Sequence, residues 1–383
     1  MLNLFHIAGF NVAVLIDSQT GRELKSFAEY LSKNKWNNLI PSNFEQNTLE
    51  GLLNRKKWKS FFRDCLVMYP GMRWNALQQA LEDPVFIPCL APTSFDSVIK
   101  AAGALFSRFQ GRHIGVQLSG GVDSSLVIGL LKANRIPYSL VGLSTQRYEF
   151  RTERHVQLKL ANECGKVKLL DYEESLPLSG IETVQAHAWP DLSCINFKSD
   201  SSMAEACNEL GIEVLFTGSG GDVILGTEVP KNPEDCNWHP QIFNYPWPKE
   251  VVYAKHGVEL VSFFDDPQFI NCIYNLRRGH SDDADKLWAR RFFRDILPKE
   301  LVDYTYRADF WGLYVDGLRQ SLQTIRNLHK IAYELTGDAY FMNENLEKLF
   351  AEDLLQAKKV IYQKIESRAA MCAWINSLNI SLN

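Results

Sequence analysis

The chain has 383 residues, of which 46% are hydrophobic and 22% are charged, and its formal net charge at pH 7 is −4. This composition is ordinary for a globular protein that is long enough for two domains, or for one large domain with an appendage. The small negative charge predicts neither a nucleic-acid partner nor attraction to an anionic membrane, and eight cysteines without a CxxC pair indicate reduced thiols in a cytoplasmic protein.

The first 95 residues predict a small N-terminal domain of mixed α+β structure. Residues 2–16 (LNLFHIAGFNVAVLI) are apolar, but they lack a basic leader and are too short to span a bilayer, so we expect one or two buried strands and no membrane insertion. Residues 17–21 predict a turn, and from there to Asp83 the pattern is helix-like. The stretch EDPVFIPCLAPTS, with three prolines, predicts a linker to a second domain of residues 96–383.

After this linker, helix and strand patterns alternate along the chain. The predicted helices cover residues 95–109, 123–134, 151–164 and 199–210, and the predicted strands cover residues 113–118, 138–143, 167–170 and 213–216. This alternation predicts an α/β fold with a parallel sheet that has helices on both faces, and a ligand site beyond the carboxyl ends of the strands. From about residue 250 the pattern is mostly helical, including residues 345–378, so we expect a helical C-terminal part.

The stretch GVQLSGGVDSSLVIGLL places a glycine-rich turn between a predicted strand and a predicted helix. Gly120 and Gly121 lack Cβ atoms, so the backbone can turn tightly and bring its N–H groups against a ligand. The positive end of the following helix points to the same place. The hydroxyl groups that can add hydrogen bonds are those of Ser119, Ser124 and Ser125. Together these groups suit the oxygen atoms of a phosphate.

Asp123 in the same turn predicts a cation. Its carboxylate would repel a phosphate unless a cation lies between them, so the sequence implies Mg²⁺. The turn has no GKS or GKT, and hence no lysine directed at a γ-phosphate as in the Walker motif. A turn that binds phosphate through amides and Mg²⁺, without that lysine, fits a reaction in which pyrophosphate leaves.

A second glycine-rich turn strengthens this interpretation. The stretch EVLFTGSGGDVILG again ends a predicted strand in glycines and one acid, Asp222. Because parallel strands of one sheet bring such turns to the same edge, we expect Asp123 and Asp222 to bridge metal ions to the phosphates of ATP. A glycine-rich turn without a ligand is the structural alternative.

The motif SGGVDSS is the signature of PP-loop ATP pyrophosphatases. Combined with TGSGGDVILG, it resembles the synthetase domain of the asparagine synthetase family over about residues 95–320. Two further family blocks are similar to GVELVSFFDD and ADKLWARRFFRDILPKELVDYTYRADF. The resemblance implies a fold like that of the PP-loop (adenine nucleotide α-hydrolase) proteins. It also implies a ligase that activates a carboxylate as an acyl-adenylate, releases pyrophosphate and then AMP, and uses ATP and Mg²⁺.

The resemblance also implies roles for individual residues. The metal ligands would be Asp123 and Asp222. The pyrophosphate portion of ATP would contact Ser119, Gly120, Gly121, Ser124, Ser125, Gly218 and Gly220, and the adenosine would approach Leu143 and Ser144. The residues with catalytic roles would be Ser219, Glu259, Lys286 and Arg307.

Several of these positions depart from the family pattern. Ser219 stands where asparagine synthetases have glutamate and β-lactam synthetases have tyrosine, and a serine is a poor general base unless a partner activates it. An amine that arrives already neutral, or a base elsewhere such as Glu259, could substitute for it. Arg307 replaces a family lysine, keeping the charge but not the compact ammonium geometry, and the arginine of GxExR is Val261. Surface charges are the alternative for Lys286 and Arg307.

The N-terminal part narrows the predicted function. The glutaminase of asparagine synthetases has a cysteine after the initiator methionine, whereas this chain has Leu2 and a shorter first segment, so we do not expect ammonia from glutamine. The form GSGGD resembles lasso-peptide macrolactam synthetases, which implies cyclisation of a precursor peptide, with a leader-peptide protease as a further partner. The alternatives are an amidotransferase or β-lactam-type synthetase acting on a small carboxylate, and a degenerate homologue that only binds a peptide or nucleotide.

Overall fold

The computed structural model describes residues 94–184, 192–226, 249–277, 285–303, 310–342 and 359–382, together with short strands nearer the N-terminus. Those strands form two antiparallel pairs, β1 (Val14–Asp17) with β2 (Cys65–Met68) and β3 (Arg73–Asn75) with β4 (Ala80–Glu82). Strand β1 overlaps the predicted N-terminal strand, whereas residues 1–13 lie outside the described part. The helix-like interpretation of the stretch up to Asp83 is wrong for β2, β3 and β4, because periodicity cannot distinguish a helix from a strand in such short runs.

A five-stranded parallel sheet lies at the centre of the described residues. Its strands are β5 (Ile114–Gln117), β6 (Ser139–Ser144), β7 (Val167–Asp171), β8 (Val214–Thr217) and β9 (Glu259–Ser262). Their order across the sheet is β7-β6-β5-β8-β9, so the central strand β5 pairs with β6 on one side and with β8 on the other. The segments that follow β5 and β8 therefore leave the same edge of the sheet side by side.

The helices lie before, between and after these strands. Up to β9 they are α1 (Phe95–Ser107), α2 (Val122–Ala133), α3 (Arg151–Cys164), α4 (Phe197–Leu210) and α5 (Lys249–Lys255). After β9 they are α6 (Pro267–Arg277), α7 (Leu287–Phe292), α8 (Lys299–Asp303), α9 (Trp311–Thr336) and α10 (Lys359–Leu382). None of the described helices combines the length and the apolar character needed to cross a membrane.

Both faces of the sheet are covered, because successive side chains of a strand point to opposite sides. Val214 and Phe216 of β8 belong to a core that includes residues of α1, α2 and α6. Leu215, which lies between them, belongs to a second core with residues of α4 and α5. The predicted α/β fold, a parallel sheet with helices on both faces, is therefore confirmed.

The predicted helices and strands between residues 95 and 216 agree with the observed ones to within two residues at each end. Strand β9 was not predicted, because its four residues fall in a motif that the sequence alone does not assign to a strand. Helix α10 confirms the later part of the predicted helix 345–378, whose earlier part lies outside the described residues. The division between residues 1–95 and 96–383 stays a prediction.

Two strand glycines provide a test of how tightly the sheet is packed. A Cβ atom on Gly142 of β6 would overlap the carbonyl oxygen of Leu118, a backbone atom that cannot move away. A Cβ atom on Gly115 of β5 would lie 2.7 Å from side-chain atoms of Ile212, which can change rotamer. We expect Gly142→Ala to lower the free energy of unfolding by roughly 2–4 kcal/mol and Gly115→Ala by roughly 1 kcal/mol, measured in urea. Equal losses would contradict this packing.

Candidate functional site

The first glycine turn connects the end of β5 to the start of α2. Gly120 has φ +82°, in the left-handed region that favours glycine. A Cβ atom at this position would also overlap the backbone oxygen of Glu153 in the first turn of α3. The turn therefore packs directly on α3, and both its conformation and its surroundings require glycine.

Two of the three predicted serine hydroxyls come together in this turn. The Oγ atoms of Ser119 and Ser124 lie 2.9 Å apart, and the Gly121 N–H donates to Ser119 Oγ over 3.2 Å. The hydroxyl of Ser125 does not join them: its Oγ is buried without a hydrogen-bond partner among the described residues, and the side chain lines a separate cleft with Lys132 of α2. The contact of the Ser125 hydroxyl with phosphate stays a prediction.

The second glycine turn follows β8 and packs against the first. A Cβ atom on Gly221 would overlap the carboxyl group of Asp123, and one on Gly218 would lie 2.9 Å from the backbone nitrogen of Ser124. Gly220 has φ +86°. The two turns thus fit into one another, and the glycines of the second turn leave the space that the carboxylate of the first one occupies.

Lys286 connects the two turns. Its Nζ lies 2.7 and 2.6 Å from the two carboxylate oxygens of Asp123 and 2.7 Å from Oδ1 of Asp222. The residue is only 5% exposed, and its φ of +56° is uncommon for a residue other than glycine. Such conformations persist where the surroundings enforce them, often at functional sites. The structure therefore brings Asp123, Asp222 and Lys286 together around one position for a cation.

The carboxylates of Asp123 and Asp222 fit Mg²⁺. This ion is usually held by one or two carboxylates, with waters and substrate phosphates as its other ligands. The described residues contain no group of three histidine, cysteine or acidic side chains suited to a metal, so phosphate oxygens and water would complete the coordination. Because the Lys286 ammonium binds oxygen atoms of both carboxylates, a bound Mg²⁺ would compete with it for them.

The predicted adenosine contacts lie at the carboxyl end of β6, next to the first turn. Leu143 and Ser144 are the last two residues of β6. The side chain of Gln157 in α3 donates hydrogen bonds to the carbonyl oxygens of Leu118 (3.1 Å) and Leu143 (2.7 Å). This buried amide joins the ends of β5 and β6, so the edge of the sheet at the site is held in register.

A network that the sequence did not reveal fixes the segment after β6. Arg147 donates to both carboxylate oxygens of Glu173, over 2.7 and 2.8 Å, and to Asp316 of α9 over 2.9 Å. The hydrogen bonds from Arg147 lower the pKa of the Glu173 carboxyl group. These residues are far apart in the sequence and no local pattern links them, but they hold the loop beside the predicted adenosine position.

Glu259 is not part of the site. It is the first residue of β9 and pairs with Val214, the first residue of β8, whereas the second glycine turn follows the last residue of β8. Its side chain is 47% exposed and forms an ion pair with Arg112. Glu259 therefore lies at the opposite edge of the sheet, and its predicted catalytic role is corrected. Arg307, another predicted catalytic residue, lies outside the described residues.

Ser219 has a partner that sequence reasoning missed. The Nζ of Lys249, the first residue of α5, donates to Ser219 Oγ over 3.4 Å. Nearby, the hydroxyl of Tyr253 donates to the buried carboxylate of Asp200 in α4 over 3.3 Å. Burial raises the pKa of Asp200 to about 6, against the positive charge of Lys249 and the hydrogen bond from Tyr253, both of which lower it.

Replacing Lys286 tests whether it acts as a cation between two carboxylates. Without the ammonium, the negative charges of Asp123 and Asp222 lose the cation between them. We therefore expect Lys286→Met to lower the free energy of unfolding by roughly 2–3 kcal/mol. The loss is smaller than for a fully buried ion pair because the side chain of Asp222 is exposed. Mg²⁺ should raise the thermal unfolding midpoint of Lys286→Met more than that of the wild type. Lys299→Met, at an exposed lysine, is the control, and an equal Mg²⁺ effect in all three proteins would contradict the shared cation position.

The raised pKa of Asp200 predicts a stability change with pH. Between its ordinary value of 3.8 and about 6, the folded protein binds more protons at this carboxyl than the unfolded chain does. The free energy of unfolding should therefore fall as the pH rises through this window, by up to about 3 kcal/mol. Groups that face Asp200 are Lys249 and Tyr253 of α5 and the Tyr172 hydroxyl.

Asp200→Asn should remove this loss. Urea unfolding from pH 4 to pH 7 would check it, with the exposed Asp295→Asn variant correcting for the general effect of removing an aspartate. The advantage of Asp200→Asn over the wild type should grow with pH. An advantage that does not change with pH would show that Asp200 does not titrate as its burial requires.

Comparisons with known proteins agree with the motifs. Residues 108–243 match the family model described as asparagine synthase; both glycine turns lie inside this match, and Lys286 lies outside it. No curated protein matches the chain. Among solved structures 56 chains match, including the glutamine-dependent NAD+ synthetase from Acinetobacter baumannii in complex with ADP.

That synthetase is 11% identical to this chain, and the alignment covers 80% of this chain and 48% of the synthetase, with a TM-score of 0.28. The chain thus spans about half the length of that protein. The similarity to a protein family comes from residues 108–243, which contain both glycine turns. This segment is similar to the asparagine synthase family, as its motifs predicted.

Proposed function

We propose that the protein is an ATP-dependent carbon–nitrogen ligase. It would activate a carboxylate as an acyl-adenylate with release of pyrophosphate, and then transfer the acyl group to an amine with release of AMP. The observation that carries the proposal is the approach of Asp123 and Asp222 to one cation position. The match of residues 108–243 to the asparagine synthase family supports it.

Different residues of the site would bind the phosphates of the nucleotide and the metal ion. Backbone N–H groups of the first turn, with the hydroxyls of Ser119 and Ser124, would bind phosphate oxygens. Asp123 and Asp222 would hold Mg²⁺, which when bound neutralises negative charge on the phosphates as pyrophosphate leaves. Lys286 compensates the charge of the two carboxylates when no Mg²⁺ is bound. When Mg²⁺ replaces it there, its positive charge would stabilise the leaving pyrophosphate.

The substrate that we propose is a ribosomal precursor peptide, cyclised to a macrolactam in the manner of a lasso cyclase. The form of the second turn, GSGGD, supports this proposal. Gly221, the second glycine of this form, leaves the space that the carboxyl group of Asp123 occupies. A leader-peptide protease as a partner and a cytoplasmic location belong to the same proposal. The five cysteines among the described residues form no disulfide, which is consistent with that location.

Exchange of labelled pyrophosphate into ATP tests the adenylation step. Candidate carboxylates and precursor peptides are incubated with the protein, ATP and Mg²⁺. We expect a cognate acid to support exchange, and Asp123→Asn or Asp222→Asn to reduce it by about 100-fold or more, the order seen when a group that stabilises developing charge is lost. The exposed Asp295→Asn variant should exchange like the wild type.

The products decide between reaction types. In the complete reaction we expect AMP and pyrophosphate, and loss of one water from a peptide that is cyclised. Formation of ADP and phosphate, or full activity in both aspartate variants, would overturn the proposed ligase. Exchange supported only by small carboxylates, with no peptide product, would favour a small-molecule synthetase, and nucleotide binding without exchange would favour a non-catalytic homologue.

A further inference from the structure

The contact between Lys249 and Ser219 fixes the direction of a hydrogen bond in the second glycine turn. A lysine ammonium has donors and no acceptor, so Lys249 donates and Ser219 Oγ accepts, over 3.4 Å. The hydroxyl hydrogen of Ser219 must then point to another acceptor. Among the described residues, none accepts it.

The carboxyl group of Asp200 lies near Lys249 and binds the helix that carries it. Asp200 is only 7% exposed, and a buried carboxylate requires compensation by hydrogen bonds or opposite charge. Tyr253 supplies a hydrogen bond to it, and Lys249 supplies a nearby positive charge. Lys249 and Tyr253 are four residues apart on α5 and so project from one side of that helix. The buried acid thus anchors α5 beside the second glycine turn.

The hydrogen bond from Lys249 to Ser219 does not suit a role of Ser219 as a general base. A base must accept a proton, whereas Ser219 already accepts a hydrogen bond from a cation, which makes its oxygen less basic. The serine and the lysine together present hydrogen-bond donors and a positive charge. Such a pair suits an oxygen atom that carries negative charge.

We propose that Lys249 makes Ser219 a hydrogen-bond donor, and that these two side chains bind an oxygen atom of the acid substrate's carboxyl group. This inference rests on the proposed ligase function. Ser219 lies three residues before Asp222, so the bound carboxyl group would lie next to the nucleotide phosphates. In this assignment Lys249 and Ser219 touch the reacting group, and Asp200 is a positioning residue.

The same pair would act again when the amine attacks. The nitrogen lone pair forms the new C–N bond, and the electron pair of the C=O bond moves to the bound oxygen, where donors stabilise it. When the C=O bond reforms, the C–O bond to the phosphate breaks and AMP leaves with that electron pair. The proton lost from the amine passes to solvent.

Kinetics of pyrophosphate exchange test the pair with the acid that supports exchange in the wild type. We expect Lys249→Met to raise the KM for the acid by about 10- to 100-fold, the range for a hydrogen bond to a charged group, and to leave the KM for ATP unchanged. Lys249→Arg, which keeps the positive charge, should raise the KM for the acid less than Lys249→Met does. Lys255→Met, at the exposed end of the same helix, is the matched control and should behave like the wild type.

Substitution of Ser219 separates a donor from a base. If Ser219 donates, Ser219→Glu brings a negative acceptor against the substrate carboxylate, so it should exchange more slowly than Ser219→Ala. Faster exchange by Ser219→Glu than by Ser219→Ala would overturn the proposal, as would equal KM values for the acid in Lys249→Met and Lys255→Met. The Ser219 variants keep the test valid if Lys249→Met fails to fold.

A binding measurement separates this proposal from the proposed function. If no acid supports exchange in the wild type, the ligase proposal fails, and binding of ¹³C-carboxyl-labelled propionate to the full chain is followed by NMR instead. Binding that is kept in Lys255→Met and lost in Ser219→Ala supports the carboxyl-binding pair without any turnover. No binding to the wild type, or equal binding to both variants, overturns it.

Discussion

The bridge from Lys286 to Asp123 and Asp222 is the interaction on which the site depends. Two carboxylates on separate turns repel one another, and their close approach requires a positive charge between them. The buried ammonium of Lys286 supplies that charge. The backbone of Lys286 has a positive φ, a conformation that is unfavourable for residues other than glycine. A site of this kind is prepared for a second cation, because any ion that replaces the lysine finds its ligands already in place.

The glycines around this bridge are a consequence of its compactness. Gly120 is fixed by α3, and Gly218 and Gly221 are fixed by the first turn. Each of these positions lacks space for a Cβ atom, so the motif that identifies the site in the sequence is also the steric condition for assembling it. The central position of β5, between β6 and β8, brings the two turns close enough for this packing to occur.

The fold and part of the site could be predicted because they follow from local patterns. The alternation of helices and strands placed Asp123 and Asp222 at one edge of a parallel sheet. Glu259 was misplaced because a motif match carries no strand register. The contact of Lys249 with Ser219 joins two segments without a shared pattern, so no sequence signal could have shown it.

The most direct measurement is the position of a metal ion in crystals grown with Mn²⁺ and α,β-methylene-ATP, located by anomalous scattering. The central claim predicts Mn²⁺ bound by Asp123 and Asp222, next to the nucleotide phosphates, with the Lys286 ammonium moved away from the position between the two carboxylates. A metal ion and nucleotide bound elsewhere, with Lys286 still bridging the two aspartates, would contradict it.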